Sequence, residues 1–94
     1  MKMLVLTYSG AEPERVSAVL EAAGVPGHTC FDGGRGHGLT GPREGTRAWP
    51  GKVTMCFSVV DDALAAEAAR ACRAVVFPPG ERLHVAVLAV ESFS

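Results

Sequence analysis

A chain of 94 residues with a hydrophobic share of 48% has enough apolar material for one core, and a charged share of 20% excludes the composition of a disordered chain. The formal net charge of −1 gives the molecule as a whole no electrostatic reason to seek nucleic acid or an anionic membrane. With aromatic residues at only 6%, the expected core is aliphatic, built on Val, Leu and Ala within a single domain spanning residues 1–94.

The chain opens with MKMLVLTYSG, an apolar run too short for a signal-peptide core, and no later stretch is long enough to span a bilayer. The expectation is a cytoplasmic protein that is not membrane-embedded. Met1 to Tyr8 is rich in strand formers and apolar on both faces, which suggests a strand covered on both sides. Ser9-Gly10 marks a turn, and Pro13 suits a first helical turn because its missing N–H needs no partner there. The helix that follows runs to about Ala23, with Val16, Val19, Leu20 and Ala23 at helical spacing and Gly24 as its C-terminal stop.

After Pro26-Gly27, residues 28–32 (HTCFD) read as a weakly patterned second strand. The segment 33–51 then carries seven glycines and two prolines with little that is apolar. Unstructured connections this long are uncommon inside compact domains, and they usually bind something or are disordered. From Gly33 to Lys52 the chain is also a basic island, since Arg35, Arg43, Arg47 and Lys52 face only Glu44, a local balance of +3.

Past Gly51 comes the cleanest strand pattern of the chain. Val53, Met55, Phe57 and Val59 alternate with Lys52, Thr54, Cys56 and Ser58, so the first set is expected to face the core. Asp61-Asp62 opens a second helix, with an aspartate as N-cap and Leu64, Ala65, Ala68, Ala71 and Cys72 as its buried stripe. Pro78-Pro79-Gly80 breaks the chain before a last strand from Leu83 to Val90.

The order strand, helix, strand, strand, helix, strand gives an α+β fold, the ferredoxin-like βαββαβ sandwich with a long loop between strands 2 and 3. Its strands take the spatial order fourth, first, third, second, with both helices on one face. The other face would be a sizeable apolar patch, so burial by further copies of the chain is expected.

At this point the residues resemble the PII signal-transduction superfamily, and its divergent PII-like branch in particular. The resemblance is carried by Gly24-Val25-Pro26-Gly27-His28-Thr29, the glycine-rich Gly34-Arg35-Gly36-His37-Gly38, the exit Trp49-Pro50-Gly51, and Phe57-Ser58-Val59-Val60-Asp61-Asp62. It implies a homotrimer with the sheets facing inward and small-molecule sites in the clefts between subunits. Classical members bind ATP or ADP there, and the long T-loop, here 33–51, docks on a transporter, enzyme or regulator. Such a protein is a regulator and not an enzyme. The loop has no tyrosine for uridylylation, and Phe77-Pro78-Pro79-Gly80-Glu81-Arg82 stands where the family has a glycine-rich phosphate loop.

The candidate ligand-binding residues are Gly34, Arg35, Gly36, His37, Gly38 and Arg82. Glycines let backbone N–H groups converge on an anion, and arginine adds a charge-assisted contact to phosphate or carboxylate. Without a ligand they are a flexible hinge beside solvated arginines. The ligand expected is a small anion, with ATP, ADP or AMP among the candidates and no cofactor assigned. Arg43, Arg47 and Trp49 are the candidate partner-binding residues, because Arg and Trp are typical anchors of protein interfaces. Trp49 equally suits packing of the loop's exit, and the arginines are solvated when no partner is present.

No metal site is assigned. The alternative function is a metal-binding or metal-homeostasis protein using His28, Cys30 and His37, since His28, Cys30 and Asp32 alternate and would share one strand face. Against it, Cys30 serves as a small apolar filler, as do Cys56 and Cys72. Three widely spaced cysteines without a CxxC pair argue against both a disulfide framework and a zinc site. His84 reads as a sheet-surface residue. No nucleophile and base stand together, which leaves a small enzyme under the loop as the weakest class.

Overall fold

The computed structural model describes the backbone of residues 1–38, 41–43 and 53–94, and the side chains of 1–35 and 53–94. Strand β1, Lys2–Ser9, lies at the middle of the architecture and pairs antiparallel on both sides. One neighbour is β5, Val53–Val60, and the other is β6, Arg82–Ala89. Strand β2, Thr29–Gly34, adds to the free side of β5, so the four-stranded sheet runs β2-β5-β1-β6. With β2, β5 and β6 counted as second, third and fourth main strands, this is the order expected from the sequence.

Two helices join these strands. Helix α1, Glu14–Ala22, connects β1 to β2, and α2, Asp62–Ala74, connects β5 to β6. Each links two parallel strands that have a third strand between them, so two split βαβ units interleave. Helix α1 ends in a Schellman motif: Gly24 N–H bonds to the Glu21 carbonyl and Val25 N–H to the Leu20 carbonyl, with Gly24 at φ +85°. Buried Val25 packs in the same cluster as Leu20, which completes the cap. At the start of α2 the Asp61 carboxylate accepts the Leu64 N–H at 2.8 Å, as its N-cap position requires.

Both helices lie on one face of the sheet. Leu4, Leu6, Tyr8, Cys56 and Val60 from the sheet are buried with Val16 and Leu20 of α1 and Ala65, Ala68 and Cys72 of α2. Here β5 departs from expectation. Its small face, Thr54, Cys56 and Ser58, is the buried one, while Val53, Met55, Phe57 and Val59 point to the uncovered side. The reason is register: Thr54, Cys56 and Ser58 stand opposite Tyr8, Leu6 and Leu4 of β1, so they share the helix-covered face with those buried residues. Burial of the hydroxyls is offset by hydrogen bonds, Thr54 Oγ1 to Asp32 Oδ1 at 3.1 Å and Ser58 Oγ to the Gly27 carbonyl.

The uncovered face is therefore more apolar than a solvated sheet face. Met3, Val5, Phe57 and Val59 are half-buried by their neighbours, and Phe31, Met55 and Leu88 are exposed. Phe31 stacks on Phe57 with ring centroids 6.1 Å apart.

Within the segment expected as an open loop, the backbone forms a second, small sheet. Strand β3, Gly36–Gly38, pairs antiparallel with β4, Gly41–Arg43. Glycines carry no side-chain alternation, so nothing in the residue pattern announced it.

Candidate functional site

The register of the sheet fixes where the expected ligand residues stand. Gly34 is opposite Val53, Val53 opposite Ser9, and Ser9 opposite Arg82, so one row of residues crosses the whole sheet at a single end. Gly34 and the exposed Arg35 lie at one extreme of that row, and the exposed Arg82 lies at the other. Three interstrand spacings separate their backbones, about 14 Å. The fold brings the two groups to the same end of the sheet and not to the same point.

At the β2 extreme, Gly33 adopts φ +77° and the pairing with β5 shifts between Phe31 and Gly34. This irregularity turns the chain out of the sheet, and a left-handed residue there calls for glycine. Gly34 also has a reason to be glycine, since a Cβ would stand 3.1 Å from the Val53 carbonyl oxygen. Of the further candidates, Gly36, His37 and Gly38 form β3 and Arg43 ends β4, with His37 opposite Pro42 in the hairpin. Arg47 and Trp49 lie outside the described residues, as does the exit through Pro50 and Gly51.

At the β6 extreme, the approach to Arg82 is a tight turn. Glu81 N–H bonds to the Pro78 carbonyl at 3.1 Å, with Pro79 and Gly80 as the central residues and Gly80 at φ +89°. Proline then positive-φ glycine is the pattern of a type II turn. Beneath it lies a polar cluster that the sequence did not announce. The Tyr8 hydroxyl donates to Glu81 Oε1 at 2.7 Å and accepts the Glu12 N–H at 3.2 Å. Arg15 Nε stands 3.6 Å from Glu81 Oε1, and Arg15 Nη2 reaches Glu12 Oε2 at 2.9 Å.

Burial, and then the hydrogen bond to Glu81, push the Tyr8 phenol above its ordinary pKa. The phenol is thus a held donor, and Phe77 packs tilted against its ring. By holding the Glu81 carboxylate, the cluster ties down the residue immediately before the exposed Arg82. The only sequence signal was a tyrosine inside an aliphatic strand.

The residues of the metal alternative are otherwise engaged. Cys30 and Cys56 face one another across β2 and β5 and form a disulfide, contrary to the expectation that neither would. Their sequence separation of 26 carries no hint of this; antiparallel register creates it. Oxidised, Cys30 offers no thiolate to a metal. His28 Nε2 lies 3.1 Å from Ser17 Oγ of α1, and Asp32 is bound to Thr54. The side chain of His37 lies outside the described residues. Cys72 is a free, buried thiol whose pKa burial raises.

No protein-family model matches the sequence, and no curated protein matches it. Solved structures do match. The nitrogen regulatory PII-like protein CPII from Thiomonas intermedia K12, bound to ADP, AMP and bicarbonate, superposes with a TM-score of 0.67 at 22% identity, over 97% of this chain and 88% of that one. The chain has the PII-like fold. A second structure of CPII with the same three ligands gives a TM-score of 0.68 at 22% identity, covering 95% and 92% of the two chains. A third, bound to ADP and bicarbonate, gives 0.66 at 23% identity over 97% and 88%. The PII-like fold thus accounts for nearly the whole length of both chains, and the family expected from the residues is the one whose fold is found.

Proposed function

We propose that this chain is a PII-like regulator, not an enzyme, that binds a small anionic ligand in clefts between the subunits of a homotrimer. The observation that carries the reading is the full-length likeness to CPII, a protein solved with ADP, AMP and bicarbonate. Ligands of that class, an adenine nucleotide or a small oxyanion, are what we assign here. The placement of Arg35 and Arg82 supports a shared site. Their backbones stand about 14 Å apart at opposite edges of one sheet, and the β2 edge of one subunit set beside the β6 edge of the next would bring both residues to one small anion.

In this reading Gly34, Arg35, Gly36, His37 and Gly38 contact the ligand from one subunit and Arg82 contacts it from the neighbour. The 33–51 segment reports occupancy to a transporter, enzyme or other regulated protein in the cytoplasm, with Arg43, Arg47 and Trp49 as its partner contacts. A ligand signals only if it binds one state of that segment better than another. Isothermal titration with ATP, ADP, AMP, cyclic AMP and bicarbonate tests the proposal: saturable heat from at least one of them is expected, weakened tenfold or more by Arg82→Ala. Absence of heat from all five removes it.

A further inference from the structure

We propose that the Cys30–Cys56 disulfide is a reversible redox fastener for strand β2, so that the thiol–disulfide state of the surroundings sets how firmly Thr29–Gly34 is held to the sheet. The first argument is position. Cys30 and Cys56 are register partners, so the bond closes between residues that strand pairing already sets opposite one another. Of the paired positions of β2, only Thr29 and Phe31 flank it before the register breaks, and Gly34 opposite Val53 is the one pair beyond. The single covalent tie is placed immediately ahead of the break.

The second argument is how little else holds this strand. Among the described residues β2 is an edge strand, paired on one side only, and every residue of it except Cys30 is exposed. Beyond its few backbone pairs with β5, its attachments are the Asp32–Thr54 hydrogen bond and the Phe31–Phe57 stack. An element with few buried contacts opens at low free energy once its covalent tie is cut. β1, paired on both sides and buried, does not depend on that tie.

The third argument is chemical access. Cys56 is fully buried, but Cys30 is half-buried on the edge, so an external dithiol reductant attacks Cys30 Sγ. A mixed disulfide forms between the reductant and Cys30, and Cys56 leaves with the electron pair and takes up a proton. The reductant's second thiolate then attacks its own sulfur in the mixed disulfide and releases Cys30, which is protonated in turn. Two electrons and two protons pass to the protein, and the reductant becomes a disulfide. Cys72 stays out of the exchange: it is buried and its thiol is held protonated, whereas exchange requires thiolate. In the cytoplasm proposed above, which is reducing, a disulfide is transient and sensing rather than structural; this clause alone rests on the proposed function.

Hydrogen exchange on the full chain tests the fastener without any ligand, so its outcome is independent of the nucleotide reading. After dithiothreitol, the amides of residues 29–34 are expected to exchange at least tenfold faster, those of β1 to keep their protection, and reoxidation with oxidised glutathione to restore the first state. Cys30→Ser, a substitution at a half-buried edge position, should exchange like the reduced protein with or without reductant. Thiol titration of the denatured protein should count one thiol before reduction and three after. Unchanged exchange in β2, acceleration only in step with β1, or three thiols that resist oxidation would each overturn the proposal.

Discussion

Tyr8 is the residue on which the local electrostatics turn. Its hydroxyl is fully buried, donates to Glu81 and accepts from the Glu12 backbone, so removing it leaves a carboxylate with one fewer donor. Tyr8→Phe is expected to cost about 2 kcal/mol, the scale of a hydrogen bond to a charged group, readable from urea unfolding. The pH dependence has a defined sign. Tyr8 and Cys72 both have folded pKa values above their ordinary 10.0 and 9.0, so the folded state holds protons that the unfolded state releases. Their stabilisation is complete below pH 9 and is lost as pH rises through the folded values. The urea midpoint should therefore fall on the alkaline side, and less steeply in Tyr8→Phe. None of this was legible in the sequence, where Tyr8 is separated from Glu81 by most of the chain. Asp61 was legible, because an N-cap acts within its own turn. Asp61→Ala should cost about 1 kcal/mol.

At the scale of elements, what could be foreseen was whatever a local rule decides. Helix α1 ends where Gly24 allows it, and Gly24→Ala tests that rule in isolation. A Cβ there meets nothing within 4 Å, so the cost is the positive φ alone, about 1 kcal/mol by urea unfolding. Strand β5 shows where local rules stop. Its alternation was visible, but which face is the core depends on what packs against it. Register with β1 set Thr54, Cys56 and Ser58 opposite Tyr8, Leu6 and Leu4 on the helix-covered side, and the larger apolar set was left outward. The Cys30–Cys56 bond was hidden for the same reason, since it follows from the register between two strands. The β3–β4 hairpin was hidden because its glycines have no pattern to read.

For the whole molecule, the strand order followed from the element order, and the uncovered face was foreseen from the double-sided apolar character of β1 and β6. The structure strengthens that expectation by adding Met55, Phe57 and Phe31 to the same face. A patch of this kind on a small domain is expected to be covered by further copies of the chain. Met55→Glu places a charge at an exposed position of the patch, and light scattering should show the mass of the proposed trimer falling to that of a monomer without loss of the fold. The candidate site belongs to this scale as well. Arg35 and Arg82 were named from their residue types, yet their separation to opposite edges appears only in the assembled sheet, and under the proposed function it makes the ligand site a property of the trimer. Native mass spectrometry of the wild-type chain with ADP measures assembly and occupancy together. The account predicts a homotrimer that takes up as many as three ADP molecules, with no occupied monomer; a monomer that stays a monomer and carries no nucleotide would contradict it.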